Sequence, residues 1–198
     1  MTTDINSVDP IDLMARIERV EAQLAIQQLP IRYALAVDSR DLDDLVALFT
    51  DDVNCGRWGV GRAALKSFYG SEHILRGFYR SIHQICGHAL DLVDADHATG
   101  RVYCRAEHED NGKWVVMAIC YFDHYVRRDG HWYFERRDEQ HWYSTDWLER
   151  PGTPRFQNWP GKYESDKYQP RLPQGFPNWA SFWEASEPAA IDLLTRSR

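Results

Sequence analysis

Two dipeptides constrain the fold of this chain more than any other feature. Asn111-Gly112 and Asp129-Gly130 each stand between runs of strand-forming residues. Asn-Gly and Asp-Gly signal two-residue hairpins, because both central positions of a type I′ turn need φ above zero. The runs they join are 100–109, 113–127 and 131–143, and a further strand-like run, 81–94, precedes them. The spacing predicts four strands, the last three an antiparallel meander.

The segment ahead of the strands is helical. Ile11, Met14, Ile17, Val20 and Leu24 recur at intervals of three and four, which is one apolar stripe of a helix. Asp9 before Pro10 suits its start, and Pro30 is expected to end or kink it. A second helix is expected through Ile31 and Leu35, and a third from Asp41 to Phe49. Residues 52–58 read as a short strand, and Arg62–Tyr69 and His73–Tyr79 as short helices. Three helices ahead of a meander predict an α+β fold.

The 198 residues suit one domain with an appended arm. The boundary falls near residue 146, giving a domain over 1–146 and an arm over 147–198. Those last 52 residues hold seven of the nine prolines and four of the eight tryptophans. Prolines at that density forbid long regular elements. The aromatic rings argue for an arm that packs on its own domain or on a neighbouring subunit.

Charge and cysteines narrow the partners. Lysines and arginines number 23 against 30 carboxylates, a net charge of −7. No basic footprint for nucleic acid or anionic lipid is present, so neither nucleic acid nor membrane is an expected partner. The first residues lack a basic flank followed by an apolar run, and no stretch approaches a membrane span. Cys55, Cys86, Cys104 and Cys120 form neither a zinc pattern nor a disulfide framework. Reduced thiols in a cytoplasmic protein are expected. Aromatic residues reach 13% of the chain, which suits either a large aromatic core or a pocket for a ring compound.

Several residues could carry chemistry. A histidine held by a carboxylate is the commonest general base. Asp38 follows apolar Leu35, Ala36 and Val37, so its carboxylate either turns inward to a partner or caps the next helix with Ser39 and Asp41. His83 opens an apolar strand, as a base or as a satisfied core histidine. His83 and His88 differ by five, so a regular strand sends them to opposite faces. A metal set of His108, His124 and Glu107 or Asp123 would need a strand register that the sequence does not fix. Tyr33 is a candidate acid or a core tyrosine. Five residues separate it from Asp38, about 140° around a helix. Either Arg136 or Arg137 should face inward, where it could stabilise an anion. The alternative is a surface pair balancing Glu135, Asp138 and Glu139.

Five segments together carry a family resemblance: Ile31-Arg-Tyr-Ala-Leu-Ala-Val-Asp-Ser-Arg-Asp-Leu-Asp43, Leu48-Phe-Thr-Asp-Asp-Val53, Ser81-Ile-His83, Asp94-Ala-Asp-His-Ala-Thr-Gly100, and Arg127-Arg-Asp-Gly-His-Trp-Tyr-Phe-Glu-Arg-Arg137. In order and spacing, residues 15–145 resemble a SnoaL-like domain of the NTF2-like superfamily. Within that superfamily the chain resembles the hexachlorocyclohexane dehydrochlorinase, bile-acid 7α-dehydratase and scytalone dehydratase group. The resemblance implies a cone of curved, mostly antiparallel sheet closed by three N-terminal helices.

It also implies a His–Asp dyad of His83 and Asp38, with Tyr33 as a donor and Arg137 as the anion stabiliser. Trp58, Phe78, Cys104, Ala106, Tyr121 and Trp142 would line the pocket, Trp58 and Trp142 near its mouth. No metal or cofactor is implied. By the alternation rule Arg137 falls on the face opposite Trp132 and Phe134, so an inward Arg137 requires a β-bulge. The family's usual polar residue four after the histidine is here Gly87.

The expected function is a cofactor-independent lyase of dehydratase type. Its substrate would be a bulky hydrophobic ring compound: a steroid, a polyketide or a lignin-derived aromatic. An isomerase, a cyclase or a carbon–carbon lyase (deformylase) could use the same dyad. A non-catalytic binding protein, or the small subunit of a ring-hydroxylating dioxygenase, could share the fold. Sheets of this kind usually bury their outer face, so a homo-oligomer, trimer or dimer, is expected.

Overall fold

The computed structural model describes residues 10–148, together with Gly175 and Ala180. The arm expected over 147–198 therefore lies almost wholly outside the described residues.

Helix α1 runs unbroken from Pro10 to Ser39, with Pro30 inside it. The expected break at Pro30 does not occur. Pro30 lacks the N–H that would bond to the carbonyl of Ile26. The ring is instead fully buried, beside Ile26, Leu29, Tyr33, Ala34 and Val37. Burial of this face outweighs the lost bond. The apolar stripe ahead of it is a real periodicity with a different outcome. Ile11, Met14, Ile17, Val20 and Leu24 stay between 41% and 78% exposed, and burial begins only at Ile26.

α1 ends in a Schellman turn. The Asp41 N–H donates to the Ala36 carbonyl at 2.9 Å and the Arg40 N–H to the Val37 carbonyl at 3.2 Å. Arg40 takes the left-handed position, φ 63°, usually given to glycine. Helix α2, Leu42–Ala47, follows at once, and Asp41 caps it by accepting from the Asp44 N–H at 3.0 Å. Asp38 is thereby left out of the cap. The strand expected at 52–58 is only an isolated bridge of Asn54 with Val60 plus a 3₁₀ turn, Gly56–Trp58. Helix α3 is Arg62–Tyr69, and the second short helix shrinks to a 3₁₀ turn, Leu75–Gly77.

The four strands are β1 Arg80–Leu92, β2 His97–Asp110, β3 Lys113–Arg128 and β4 His131–Asp146. They pair antiparallel in chain order. Both predicted hairpin turns form. Asn111 and Asp129 sit at φ 50° and Gly112 and Gly130 at φ 77°, the backbone of a type I′ turn.

Three bulges break the alternation of faces. In β1, Cys86 is skipped between Ile85 and Gly87. In β4, Glu135 is skipped between Phe134 and Arg136, and Trp142 between His141 and Tyr143. Each bulge bends its strand and reverses the facing of every residue beyond it. The sheet curves around α1, and the core lies between them, with Val102, Ile119, Tyr121, Tyr125 and Phe134 against Ile26, Tyr33 and Val37.

Candidate active site

Asp38 and His83 meet where the end of α1 passes the start of β1. His83 Nδ1 lies 2.7 Å from Asp38 Oδ1. The His83 backbone N–H donates to Asp38 Oδ2 at 2.7 Å, and Ser81 Oγ donates to Oδ1 at 2.8 Å. Arg40 Nη1 in turn donates to Ser81 Oγ at 2.9 Å. The Schellman turn that places Arg40 thus also braces the carboxylate. Burial alone would raise the pKa of Asp38. Hydrogen bonding to His83, its charge and the Ser81 hydroxyl outweigh burial and hold the carboxyl below its ordinary value. A carboxylate only accepts, so Nδ1 of His83 carries a proton toward it. In the neutral imidazole the opposite ring nitrogen, Nε2, is then a lone pair.

His83 lines a cavity of about 420 Å³ between α1, α3 and the inner face of the sheet. Trp58, Phe68, Phe78, Met117 and Ile119 give it apolar walls. This size suits a small organic ligand.

Arg137 closes another part of the wall. The bulge at Glu135 turns it inward, so Arg137 faces the cavity and Arg136 does not. Its Nε and Nη2 donate to the two oxygens of Asp123 at 2.8 and 2.7 Å. Its guanidinium carbon lies 4.1–4.3 Å from the ring centres of Tyr33, Tyr121 and Phe134. Burial favours the neutral guanidine, yet the charge and hydrogen bonds of Asp123 prevail and raise the Arg137 pKa. The cation is permanent. Its third nitrogen, Nη1, is buried and makes no hydrogen bond to any described residue.

A SnoaL-like domain model matches residues 18–138. The chain belongs to the SnoaL-like family. A gamma-hexachlorocyclohexane dehydrochlorinase of Sphingobium indicum is 27% identical over 132 residues, which span 63% of this chain and 83% of that protein. A crystal structure of a type 2 hexachlorocyclohexane dehydrochlorinase matches with a TM-score of 0.58 at 25% identity, over 69% of this chain and 99% of that one. A scytalone dehydratase-like protein of Novosphingobium aromaticivorans shares the fold, with a TM-score of 0.58 at 24% identity over 75% of this chain and 99% of that one.

Within this SnoaL-like domain the expected site residues divide into three groups. Tyr33, Trp58, Phe78, His83, Tyr121 and Arg137 line the cavity, and Asp38 reaches it through His83. Cys104 and Ala106 are buried in the core behind the wall. Trp142 lies on the outer face: the bulge at Glu135 shifts the alternation along β4 so that His141 points in and Trp142 out, where its ring packs on the half-exposed Tyr103, 5.4 Å between centres. The expected place of Trp142 near the mouth is therefore corrected. So is the rule that sent His83 and His88 to opposite faces. The bulge at Cys86 puts both inside, and His88 Nε2 lies 3.1 Å from the Tyr125 hydroxyl, which donates to Asp123 at 2.8 Å. Among the described residues no cluster of three His, Cys, Asp or Glu is placed to hold a metal ion. The proposed metal residues separate, since His108 is buried and His124 lies exposed on the other face of the sheet. No described helix is long and apolar enough to cross a membrane.

The SnoaL-like cavity also holds residues that the sequence did not single out as lining it. Tyr69, on α3, brings its hydroxyl to 3.1 Å from that of Tyr33. Burial raises the pKa of both, so the pair stays protonated. Each hydroxyl has one proton, and only one is needed between them. His108 stands edge-on to His83, with ring centres 5.5 Å apart. Burial first, then the neighbouring His83, lowers its pKa to about 3, so it is neutral at any ordinary pH. Glu139 and His141 line the cavity from β4. His108, in phase with Cys104 and Ala106, could have been read from strand alternation. The facing of β4 depends on bulges with no local signal.

Proposed function

We propose that the protein is a cofactor-independent lyase that eliminates water or a comparable leaving group from a hydrophobic ring compound. The observation that carries this reading is the Asp38–His83 contact, 2.7 Å long, at the wall of an apolar cavity that also contains Arg137. The dehydrochlorinase relative, itself named for an elimination, supports it.

In this reading His83 Nε2 takes a proton from a carbon next to an activating group. Asp38 fixes the tautomer and stabilises the imidazolium that forms, as the aspartate does in a serine-protease triad. Negative charge grows on the substrate as the C–H bond breaks. Arg137 Nη1 and the spare proton of the Tyr33–Tyr69 pair stabilise it. The electron pair of the broken C–H bond becomes the new double bond. The leaving group departs with its own bonding pair, as hydroxide protonated by the imidazolium or as halide. Apolar walls keep bulk water away and strengthen each of these interactions.

The test is a mass-spectrometric screen of hydroxylated steroids, polyketides and lignin dimers with wild type and His83→Ala. Loss of water in the wild-type samples alone is expected. An unchanged mass with altered retention would replace this reading by an isomerase or cyclase, and loss of formaldehyde by a carbon–carbon lyase. Wild-type binding with no product would favour a binding protein.

A further inference from the structure

The cavity contains a second histidine–carboxylate pair that the dyad does not use. His141 and Glu139 are two apart on β4, opposite Ile119 and Tyr121 of β3, so both face inward. His141 Nδ1 lies 3.1 Å from Glu139 Oε1. The His141 side chain is 10% exposed, whereas that of Glu139 is 42% exposed. Its Nε2 is buried and makes no hydrogen bond to any described residue, although the ring lines the cavity.

We propose that the Glu139–His141 pair is a substrate subsite for a hydroxyl group, so that the cavity selects ring compounds bearing a free hydroxyl over their ethers, hydrocarbons and halides.

The tautomer decides the chemistry. The Glu139 carboxylate can only accept, so Nδ1 of His141 is the donor toward it. In the neutral imidazole Nε2 is then an acceptor and asks for an O–H. A buried acceptor left unmatched is unfavourable, so a ligand that supplies the proton gains more than one that merely fills the space. A halogen or an ether oxygen supplies none and leaves Nε2 buried and unmatched.

The position separates this group from the reacting one. His141 is on β4 and His83 on β1, three strand spacings apart in the sheet, or ~14 Å along its curved surface. A ring compound held by its hydroxyl at His141 therefore presents a different part of its framework to His83. The hydroxyl taken at His141 is a recognition handle, not the leaving group. The subsite deepens the lyase reading by naming a feature of its substrate. Its own evidence is the unmatched Nε2.

The test is equilibrium binding of 2-naphthol and of 2-methoxynaphthalene, which differ in the hydroxyl proton, measured by isothermal titration calorimetry. Wild type should prefer 2-naphthol by about tenfold. His141→Phe keeps a ring at the position and should abolish the preference, binding the ether as well as the naphthol. Should His141→Phe misfold, wild-type imidazole ¹⁵N spectra carry the test. The His141 ring is expected in its Nδ1–H form, with Nε2 moving on addition of 2-naphthol and not of the ether. Equal affinities in wild type, no binding of either probe, a preference that survives His141→Phe, or an Nε2–H tautomer would each overturn the proposal. Binding needs no turnover. A protein with the preference and no elimination activity retains the subsite and loses the lyase reading, and the reverse result does the opposite.

Discussion

Asp123 and Arg137 face each other across β3 and β4 as a bidentate ion pair, with contacts of 2.8 and 2.7 Å and side chains 0% and 3% exposed. Such a pair is weak evidence of stability as a pair but strong evidence of interdependence. Asp123→Leu or Arg137→Met alone strands one buried charge and should lower unfolding free energy by about 3–5 kcal/mol. The double variant leaves no stranded charge and should regain at least half of that. Urea unfolding of the three proteins measures it. Single variants within about 1 kcal/mol of wild type would show that the pair does not depend on itself.

Gly100 of β2 is a place where one carbon decides packing. A Cβ built there would meet His88 Nε2 at 2.6 Å and Tyr125 Cε2 at 3.0 Å. Both belong to the group that holds Asp123. Gly100→Ala should lower stability by roughly 1–3 kcal/mol through overpacking. Tm by calorimetry reads it, and an unchanged Tm would mean that His88 moves aside freely.

His108 makes stability depend on pH. Its unfolded counterpart takes up a proton near pH ~6.5, whereas burial and the neighbouring His83 delay uptake in the folded state to about 3. The folded pKa is depressed, so the contribution is whole above pH ~6.5 and drains away as pH falls. At pH ~4.5 this group alone should have withdrawn about 2–3 kcal/mol. Asp38, also depressed, adds a loss of the same sign at lower pH, within and below the carboxylate range. Urea midpoints at neutral and acid pH should converge in His108→Leu relative to wild type. An equal drop in both proteins would assign the acid sensitivity elsewhere.

The Tyr33–Tyr69 pair should separate activity from stability. Either Tyr→Phe change keeps the rings that pack around Arg137 and removes one hydroxyl of a 3.1 Å contact. Stability should change by about 1 kcal/mol, and kcat should fall by about tenfold, because the hydroxyl that remains keeps its proton but loses the partner that orients it toward the developing charge. An unaltered kcat in both variants would remove the pair from the mechanism.

Much of this molecule is legible in its sequence, for physical reasons. The two hairpins are local events set by residues able to take positive φ, and both appear where Asn111-Gly112 and Asp129-Gly130 stand. The four strands lie within a few residues of the apolar runs that predicted them. Pro30 misleads because its backbone penalty is local, while the burial that overrides it comes from the sheet. Asp38 is ambiguous for the same reason. Its partners Ser81 and His83 are 43 and 45 residues away, and only Asp41 of the local acidic residues proves to be the cap. The inward Arg137 was legible conditionally: alternation required a bulge, and the bulge exists at Glu135. The bulge at Cys86 gave no such warning, so His88 faces inward against expectation, and the Glu135 bulge that turns Arg137 in also turns Trp142 out. Glu139 and His141 look like ordinary polar strand residues until β4 is placed against β3.

In the proposed elimination His83, oriented by Asp38, removes the proton that starts the reaction. That role is tested most directly by kcat/KM for wild type, His83→Ala and Asp38→Asn on one ring compound that the wild type dehydrates, with circular dichroism confirming that each variant is folded. A positioned base contributes ~10²–10⁴-fold, so each substitution should lower kcat/KM by at least about 100-fold. Two folded variants that both retain activity within roughly tenfold of wild type would contradict the account.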